Sequence, residues 1–180
     1  MMQMLEKGGL PPLADGARQA DGNNPGGYYE LEAVKQTKRD ASWLAHAHGR
    51  CVKVISMLLY ELPPDRSYRI IFMTRRIEEV LASQAAMLEE MTGRRDSPPG
   101  EAGPSGADAD MRRHLENHLR KLESWLREQK NMSVLCCSYN ALLLSPREHA
   151  EQVSAFLGIP LDVEKMVGIV DPVLYRQRAL

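Results

Sequence analysis

The stretch that most constrains the fold of this chain is residues 69–84, because its periodicity changes in the middle. Its first part, residues 70–73, is an apolar run bounded by polar residues, which is typical of a strand buried on both faces. From Ile77 onwards the apolar residues recur at helical spacing, and Glu79 stands in the first turn, where negative charge complements the helix dipole. The stretch therefore predicts a strand, a tight turn that contains Arg75, and a helix.

Arg75 and Ser83 are candidates for a phosphate site. In an open α/β sheet, ligands bind outside the carboxyl ends of the strands, which is where Arg75 stands. Ser83 lies about two turns into the helix that follows. A guanidinium binds phosphate bidentately, and a hydroxyl adds a further hydrogen bond. The alternative is that Arg75 is a solvated turn residue and Ser83 a neutral helix residue, and spacing alone favours neither interpretation.

Composition limits the class of protein. The 180 residues are 43% hydrophobic and 26% charged, which is ordinary for one globular domain. The net charge of −1 gives no support for a nucleic acid or a membrane surface as partner. No apolar run approaches the roughly 20 residues of a membrane helix. The 3 cysteines, of which Cys136 and Cys137 are adjacent, make neither a disulfide framework nor a metal-ligand set, so we expect buried thiols in a reducing cytoplasm.

Segments with strand and helix patterns alternate along the chain. Besides the central unit, we expect strands at residues 10–14, 51–55 and 133–138, a helix or turn at residues 57–62, and helices at residues 1–7, 33–38, 42–48, 111–129, 146–157 and 162–170. This alternation predicts an α/β fold with a parallel sheet and helices on both of its faces. Residues 92–110 are rich in Gly, Pro, Asp and Ser, which predicts a mobile loop within a single domain that spans residues 1–180.

The segment from Arg75 to Ser83 resembles the 3′-phosphate-binding segment of sulfotransferases, enzymes that use 3′-phosphoadenosine 5′-phosphosulfate (PAPS). In that family an arginine ends a strand and a serine follows eight positions later, as here. The usual Asn-Pro after the arginine is replaced by Arg76 and Ile77. The resemblance implies that Arg75 and Ser83 bind the 3′-phosphate of PAPS.

Later segments carry the same resemblance in the same order. Residues 134–142 resemble a strand followed by Tyr-Glu-Asp-Leu, with Asn140 where an acid is usual, and residues 146–158 resemble the next helix, which ends in Phe-Leu-Gly. A late basic segment of the family can close over the 3′-phosphate. This implies that Arg176 and Arg178 also bind the nucleotide, whereas the alternative is a solvated tail.

The resemblance also implies catalytic residues. Lys53 stands where cytosolic sulfotransferases have the lysine of Lys-Thr-His. The resemblance therefore implies that Lys53 stabilises the transferring sulfuryl group. Ile55 takes the place of the histidine that acts as general base, so the acceptor proton must go to another residue. Glu30, in Gly-Tyr-Tyr-Glu after Asn-Pro, is the first candidate for this base and Glu32 is the second. The alternatives are that Lys53 extends to solvent and that Glu30 caps a helix.

No metal site is expected from the histidines. His114 and His118 share one helix face, as zinc ligands do, but no third ligand is apparent, so a surface helix is the better interpretation. His46 and His48 point to different sides of a helix, and we expect no catalytic role for them.

The resemblance implies a fold like that of P-loop nucleotide hydrolases, in a bacterial sulfotransferase whose first strand and 5′-phosphosulfate loop are missing from this chain. We therefore expect an N-terminally truncated domain that transfers a sulfuryl group from PAPS to a hydroxyl or amine of a small-molecule or carbohydrate acceptor. The sheet edge left open would pair with another chain, so a homo-oligomer is one expectation.

Two alternatives stay open. The missing loop, the missing histidine and Asn140 favour a catalytically inactive nucleotide-binding or interaction module. A P-loop kinase fragment would need a Walker lysine and an acidic magnesium ligand at a strand end, and the sequence has no Gly-x-x-x-x-Gly-Lys-[Ser/Thr] loop.

Overall fold

A computed structural model describes residues 1–18, 20, 24, 26–92 and 106–171 of the chain. In these ranges the helices are α1 (Met2–Lys7), α2 (Ile77–Thr92), α3 (Gly106–Glu128), α4 (Tyr139–Leu144), α5 (Pro146–Leu157) and α6 (Val163–Gly168), and the strands are β1 (Tyr68–Thr74) and β2 (Met132–Ser138). Three 3₁₀ helices precede β1, at Glu32–Gln36, Ser42–His46 and Ser56–Glu61. None of the helices within the described ranges combines the length and the apolar character that crossing a membrane requires.

The two strands pair in parallel and in continuous register. Tyr68 lies opposite Met132 at one end and Thr74 opposite Ser138 at the other. Parallel neighbours need a crossover connection, and here it contains α2 and α3. The predicted α/β fold with a parallel sheet is therefore confirmed for these two strands, and both strands end at the same edge.

Helices cover both faces of this sheet, as predicted. Ile71 and Met73 pack against a core that α1, α4, α5 and α6 share. Ile70 and Phe72 point to the other face, towards α3 and the 3₁₀ helix at Ser56–Glu61. The buried residues of the first core are Met4, Leu5, Cys137, Leu142, Ala150, Val153 and Met166, and those of the second are Leu59, Leu122, Leu126 and Met132. The expectation that β1 is fully buried is wrong, because the side chains of residues 70–73 are only half-buried.

The helices after β1 differ from the prediction at their junction. α2 reaches Thr92 and α3 begins at Gly106, so the described parts of the predicted loop at residues 92–110 are helical. Residues 93–105 lie outside the described residues. α5 ends as predicted at Gly158, whose φ of +65° is left-handed and suits a residue without a Cβ.

The strands predicted at residues 10–14 and 51–55 are wrong. These segments meet only in an isolated parallel bridge between Pro12 and Cys51. The Leu13 N–H donates to the Cys51 carbonyl at 2.8 Å, and the Cys51 N–H donates to the Pro11 carbonyl at 3.0 Å. Because Pro11 and Pro12 have no N–H to donate, the ladder cannot continue. The helices predicted at residues 33–38 and 42–48 are short 3₁₀ helices instead, and the helix or turn predicted at residues 57–62 is a third one. Such brief segments often take this form.

The expectation that the cysteines are buried thiols holds for only one of them. Cys137 is buried in the first core, Cys51 is partly buried, and Cys136 is exposed. Since side chains alternate along β2, Cys136 points away from the core that takes Cys137. Burial raises the pKa of the Cys137 thiol, and it raises the pKa of Cys51 to about 11.

We predict that the three thiols of the native chain react at different rates with a disulfide reagent at pH 8. Cys136 should react first, because it is exposed. Cys51 should react at least about a hundredfold more slowly, since its raised pKa leaves little thiolate at this pH. Stopped-flow and manual absorbance measurements of thiol release check this, with Cys136→Ser as the matched variant. A fast phase that persists in Cys136→Ser would contradict the strand alternation described above.

Candidate active site

Asp15 holds together the segment that carries Glu30. The Asp15 N–H donates to the Glu30 carbonyl at 3.1 Å, and its carboxylate accepts from the Ala17 N–H at 2.9 Å and the Glu32 N–H at 2.6 Å. These backbone hydrogen bonds, that of Glu32 foremost, lower the pKa of Asp15. The carboxylate therefore fixes both ends of the segment that leads into the 3₁₀ helix at Glu32–Gln36.

The turn before Glu30 is tight and strained. The Gly27 N–H donates to the Asn24 carbonyl at 3.1 Å, and the Asn24 amide donates to the Gly27 carbonyl at 2.6 Å. Tyr29 then adopts a left-handed conformation with φ of +53°, which costs a residue with a Cβ about 1–2 kcal/mol. Its hydroxyl donates to the Glu6 carboxylate of α1 at 2.6 Å, which anchors the strained residue. Such conformations occur preferentially at functional sites.

Glu30 and Lys53, the two predicted catalytic residues, are in contact. The Lys53 ammonium lies 3.7 Å from the Glu30 carboxylate and donates to the Tyr28 carbonyl at 3.0 Å. The Arg18 guanidinium lies 4.0 Å from the same carboxylate and 3.4 Å from the centre of the Tyr28 ring. The side chains of Lys53 and Glu30 are 39% and 34% exposed, so the pair can be reached by a ligand.

Two cavities adjoin this ion pair. One, of about 320 Å³, is lined by Arg18, Tyr28, Tyr29 and Glu30 together with small residues of the same segment. This volume is at the lower end of the range for small-molecule sites. The other, of about 220 Å³, is lined by Lys53, Tyr28 and Tyr29 together with residues 1–3 of the chain. The two tyrosines line both cavities, whereas Glu30 lines the larger one and Lys53 lines the smaller one.

Arg75 follows β1 directly, as predicted, but it is not a solvated turn residue. Its Nε donates to Glu79 at 2.8 Å, and its side chain is 25% exposed. The guanidinium also lies 5.0 Å from the centre of the Tyr139 ring, within cation–π range. Arg75 is therefore held against the start of α2 and the start of α4, while part of it stays accessible.

Ser83 is half-buried and lies four residues after Glu79 on α2, which puts it on the same helix face. Within the described residues, the ion pair and hydrogen bond of Lys53 go to Glu30 and Tyr28, whereas Arg75 binds Glu79. The four predicted residues therefore form two groups. Arg176 and Arg178 lie outside the described residues.

Two residues of this region were not predicted as functional. Glu79 was expected only to complement the helix dipole, yet it is 1% exposed and binds Arg75. The Asn140 amide donates to both of its oxygens, at 3.0 and 3.2 Å. The spacing of four residues between Arg75 and Glu79 is the one sequence signal of this cluster. Arg18 has no such signal in the sequence.

The remaining candidates have other contacts. Glu32, the second candidate for the base, binds Lys35 at 2.6 Å. Ile55, which the resemblance puts in the place of the family histidine, is a hydrocarbon residue that is 58% exposed. His118 and Ser56 share a hydrogen bond of 2.9 Å, and His114 bonds the Asp110 carbonyl at 2.7 Å, so the two imidazoles have separate partners. In the part of the chain that the structure describes, no three His, Cys, Asp or Glu side chains are grouped as metal ligands.

Comparison with known families identifies the class of protein. Residues 44–177, about three quarters of the chain, match the model described as the sulfotransferase domain. The chain therefore belongs to the sulfotransferase family, which indicates a transferase that moves a sulfuryl group. Searches of curated proteins and of solved structures each found no match. The matched range contains Lys53, Arg75 and Ser83 but begins after Glu30.

We predict that Tyr29→Phe lowers the free energy of unfolding by about 0.5–1 kcal/mol near pH 8, after allowance for solvent screening of this partly exposed bond. Desolvation and the bond to Glu6 raise the pKa of Tyr29 to about 12, so the folded state favours the protonated phenol. This stability is fully present below the unfolded pKa of about 10 and is lost as the pH rises through about 12.

Urea unfolding of the wild type and of Tyr29→Phe at pH 8, 9 and 11.5 measures this difference. It should be nearly constant from pH 8 to 9 and shrink at pH 11.5. A difference that grows with pH would show that the hydroxyl does not donate to Glu6 in solution.

Proposed function

We propose that this chain is a sulfotransferase that uses PAPS as donor and a hydroxyl or amine of a small molecule or carbohydrate as acceptor. The observation that carries the proposal is the Lys53–Glu30 pair at 3.7 Å, with a cavity on each side of it. A cation on one side and a carboxylate on the other is what transfer of a charged group to a protonated nucleophile requires. The family match supports the class of reaction, and the finer fold we propose is that of P-loop nucleotide hydrolases.

The residues after β1 fit the nucleotide of such a donor. Arg75 supplies a cation at the carboxyl end of a parallel strand, and Ser83 supplies a hydroxyl farther along the helix face that carries Glu79. Both would bind the 3′-phosphate, as charge-assisted hydrogen bonds favour. Arg176 and Arg178 are proposed to add charge to the same phosphate.

The residues around the ion pair fit the transfer itself. When bound, PAPS supplies an activated sulfuryl group. The Lys53 ammonium would stabilise the negative charge on that group from the smaller cavity. Glu30 would accept the proton that the acceptor hydroxyl or amine loses in attack, with the acceptor in the cavity of about 320 Å³. Tyr28 and Tyr29, which line both cavities, would limit the access of water.

A second candidate is a catalytically inactive nucleotide-binding or interaction module. The observation that favours it is Ile55, an exposed hydrocarbon in the place of the family histidine. It shares the 3′-phosphate site with the first candidate and differs from it only in turnover.

We predict that adenosine 3′,5′-bisphosphate binds the full chain and that Arg75→Ala weakens this binding about tenfold or more, because a charge-assisted hydrogen bond is worth roughly 1.5–3 kcal/mol. Ser83→Ala should cause a smaller loss. Isothermal titration calorimetry measures both. Arg147→Ala is the matched control, since this arginine is 54% exposed and binds Glu164 on the surface. Equal losses in Arg75→Ala and Arg147→Ala would mean that general charge is responsible and that the proposed phosphate site is wrong.

We predict that Glu30→Gln lowers kcat for sulfuryl transfer about a hundredfold or more, because the amide cannot accept the acceptor proton. Its binding of adenosine 3′,5′-bisphosphate should not change. The assay follows conversion of PAPS to the bisphosphate with a panel of phenols, alcohols and amines, and Glu32→Gln is the control, because Glu32 binds Lys35. Full activity of Glu30→Gln would eliminate it as the base. A wild type that binds the bisphosphate and turns over no acceptor would favour the inactive module.

A further inference from the structure

The burial of Glu79 needs an explanation. It stands in the first turn of α2 beside Glu78, yet its side chain is 0% exposed while that of Glu78 is 53% exposed. Glu78 binds Arg112 at the surface, as helix glutamates often do. Burying a carboxylate is costly unless it is paired and hydrogen-bonded, so a sequence that only needed a helix dipole partner would not place one there.

Donors from two segments of the chain bind this carboxylate. The Arg75 Nε reaches one oxygen at 2.8 Å from the turn after β1. The Asn140 amide reaches both oxygens, at 3.0 and 3.2 Å, from the first turn of α4 after β2. These donors can meet because Thr74 and Ser138, the last residues of the two strands, are paired in register. Glu79 therefore joins the two strand ends at the edge where ligands of α/β proteins bind.

The contacts fix the guanidinium of Arg75 before any ligand arrives. The bond from Nε determines the plane of the group, because guanidinium is rigid and planar. The Tyr139 ring, 5.0 Å away, constrains it further. An arginine held in this way loses less rotamer entropy when it binds a phosphate.

Asn140 suits this arrangement better than an acid would. Its amide supplies donors to the buried carboxylate, whereas a second carboxylate at 3.0 Å would be repelled by the first. The amide at position 140, which departs from the acid usual in the family segment, is thus complementary to Glu79.

We propose that Glu79, supported by Asn140, is a positioning residue that orients Arg75 for the 3′-phosphate of the nucleotide. This inference rests on the proposed function of Arg75. It assigns to Glu79 no contact with the ligand. Its effect should therefore be confined to the part of the binding energy that the 3′-phosphate provides.

The test compares two ligands on the full chain by calorimetry: adenosine 3′,5′-bisphosphate, and adenosine 5′-monophosphate, which lacks the 3′-phosphate. Glu79→Gln should reduce the affinity for the bisphosphate about tenfold and leave that for the monophosphate unchanged. Glu78→Gln, the matched control on the same helix turn, should change neither. Circular dichroism and thermal unfolding establish that the variants are folded.

A swapped pair adds a rescue. Asn140→Asp alone should also reduce the affinity for the bisphosphate, because it brings two carboxylates together. The double variant Glu79→Gln with Asn140→Asp should recover most of this loss, since the amide of the new residue at 79 can donate to position 140 while its oxygen accepts from Arg75. The loss and its recovery are both measured as the ratio of the affinities for the two ligands, which a role in folding alone would leave unchanged. If Glu79→Gln is unstable by itself, the ratios of Asn140→Asp and of the double variant still decide the question.

The outcomes separate the two proposals. If the wild type prefers the bisphosphate and Glu79→Gln keeps the full preference, or loses affinity for both ligands equally, the positioning role is overturned while the 3′-phosphate site stands. If the wild type shows no preference for the bisphosphate, the phosphate site itself is wrong and the positioning role falls with it. A preference that Glu79→Gln loses and the double variant regains supports both.

Discussion

The parallel pairing of β1 with β2 is the constraint on which the rest of the structure depends. The register is continuous from Tyr68 opposite Met132 to Thr74 opposite Ser138, so both strands end at one edge. The residues that follow the strands therefore meet there, and the hydrogen bonds from Asn140 to Glu79, the buried partner of Arg75, are a product of that meeting. A slip of one residue would turn every side chain of a strand to the opposite face, which would disrupt both cores and the contact between Asn140 and Glu79.

The ion pair of Lys53 with Glu30 depends on weaker restraints. It is held by the isolated bridge between Pro12 and Cys51, by the carboxylate of Asp15 and by a strained turn, and it is about one third exposed. The pair of Arg75 with Glu79 is largely buried and fixed, whereas the pair of Lys53 with Glu30 is accessible and adjoins two cavities. This division matches the two tasks we propose: the fixed group holds the nucleotide, and the accessible one serves the transfer.

The sequence alone predicted what local periodicity controls and missed what distant neighbours decide. The strand, turn and helix around Arg75 follow from a change of period, and the end of α5 follows from Gly158. The burial of Glu79 was missed, because it depends on Asn140, which is 61 residues away. The strand expected at residues 51–55 failed, because its partner segment contains two prolines that cannot continue a ladder. The resemblance implied catalytic roles for Lys53 and Glu30 but no contact between them, and these roles stay predictions.

Hydrogen exchange of the full chain with and without adenosine 3′,5′-bisphosphate tests most directly whether the nucleotide binds where β1 and β2 end. Bound ligand slows exchange by stabilising the segments that hold it. We predict slower exchange in peptides that cover residues 74–84 and 138–141, with α5 unchanged as the internal reference. Protection confined to other segments, or no protection under conditions in which calorimetry detects binding, would contradict a phosphate site at this edge of the sheet.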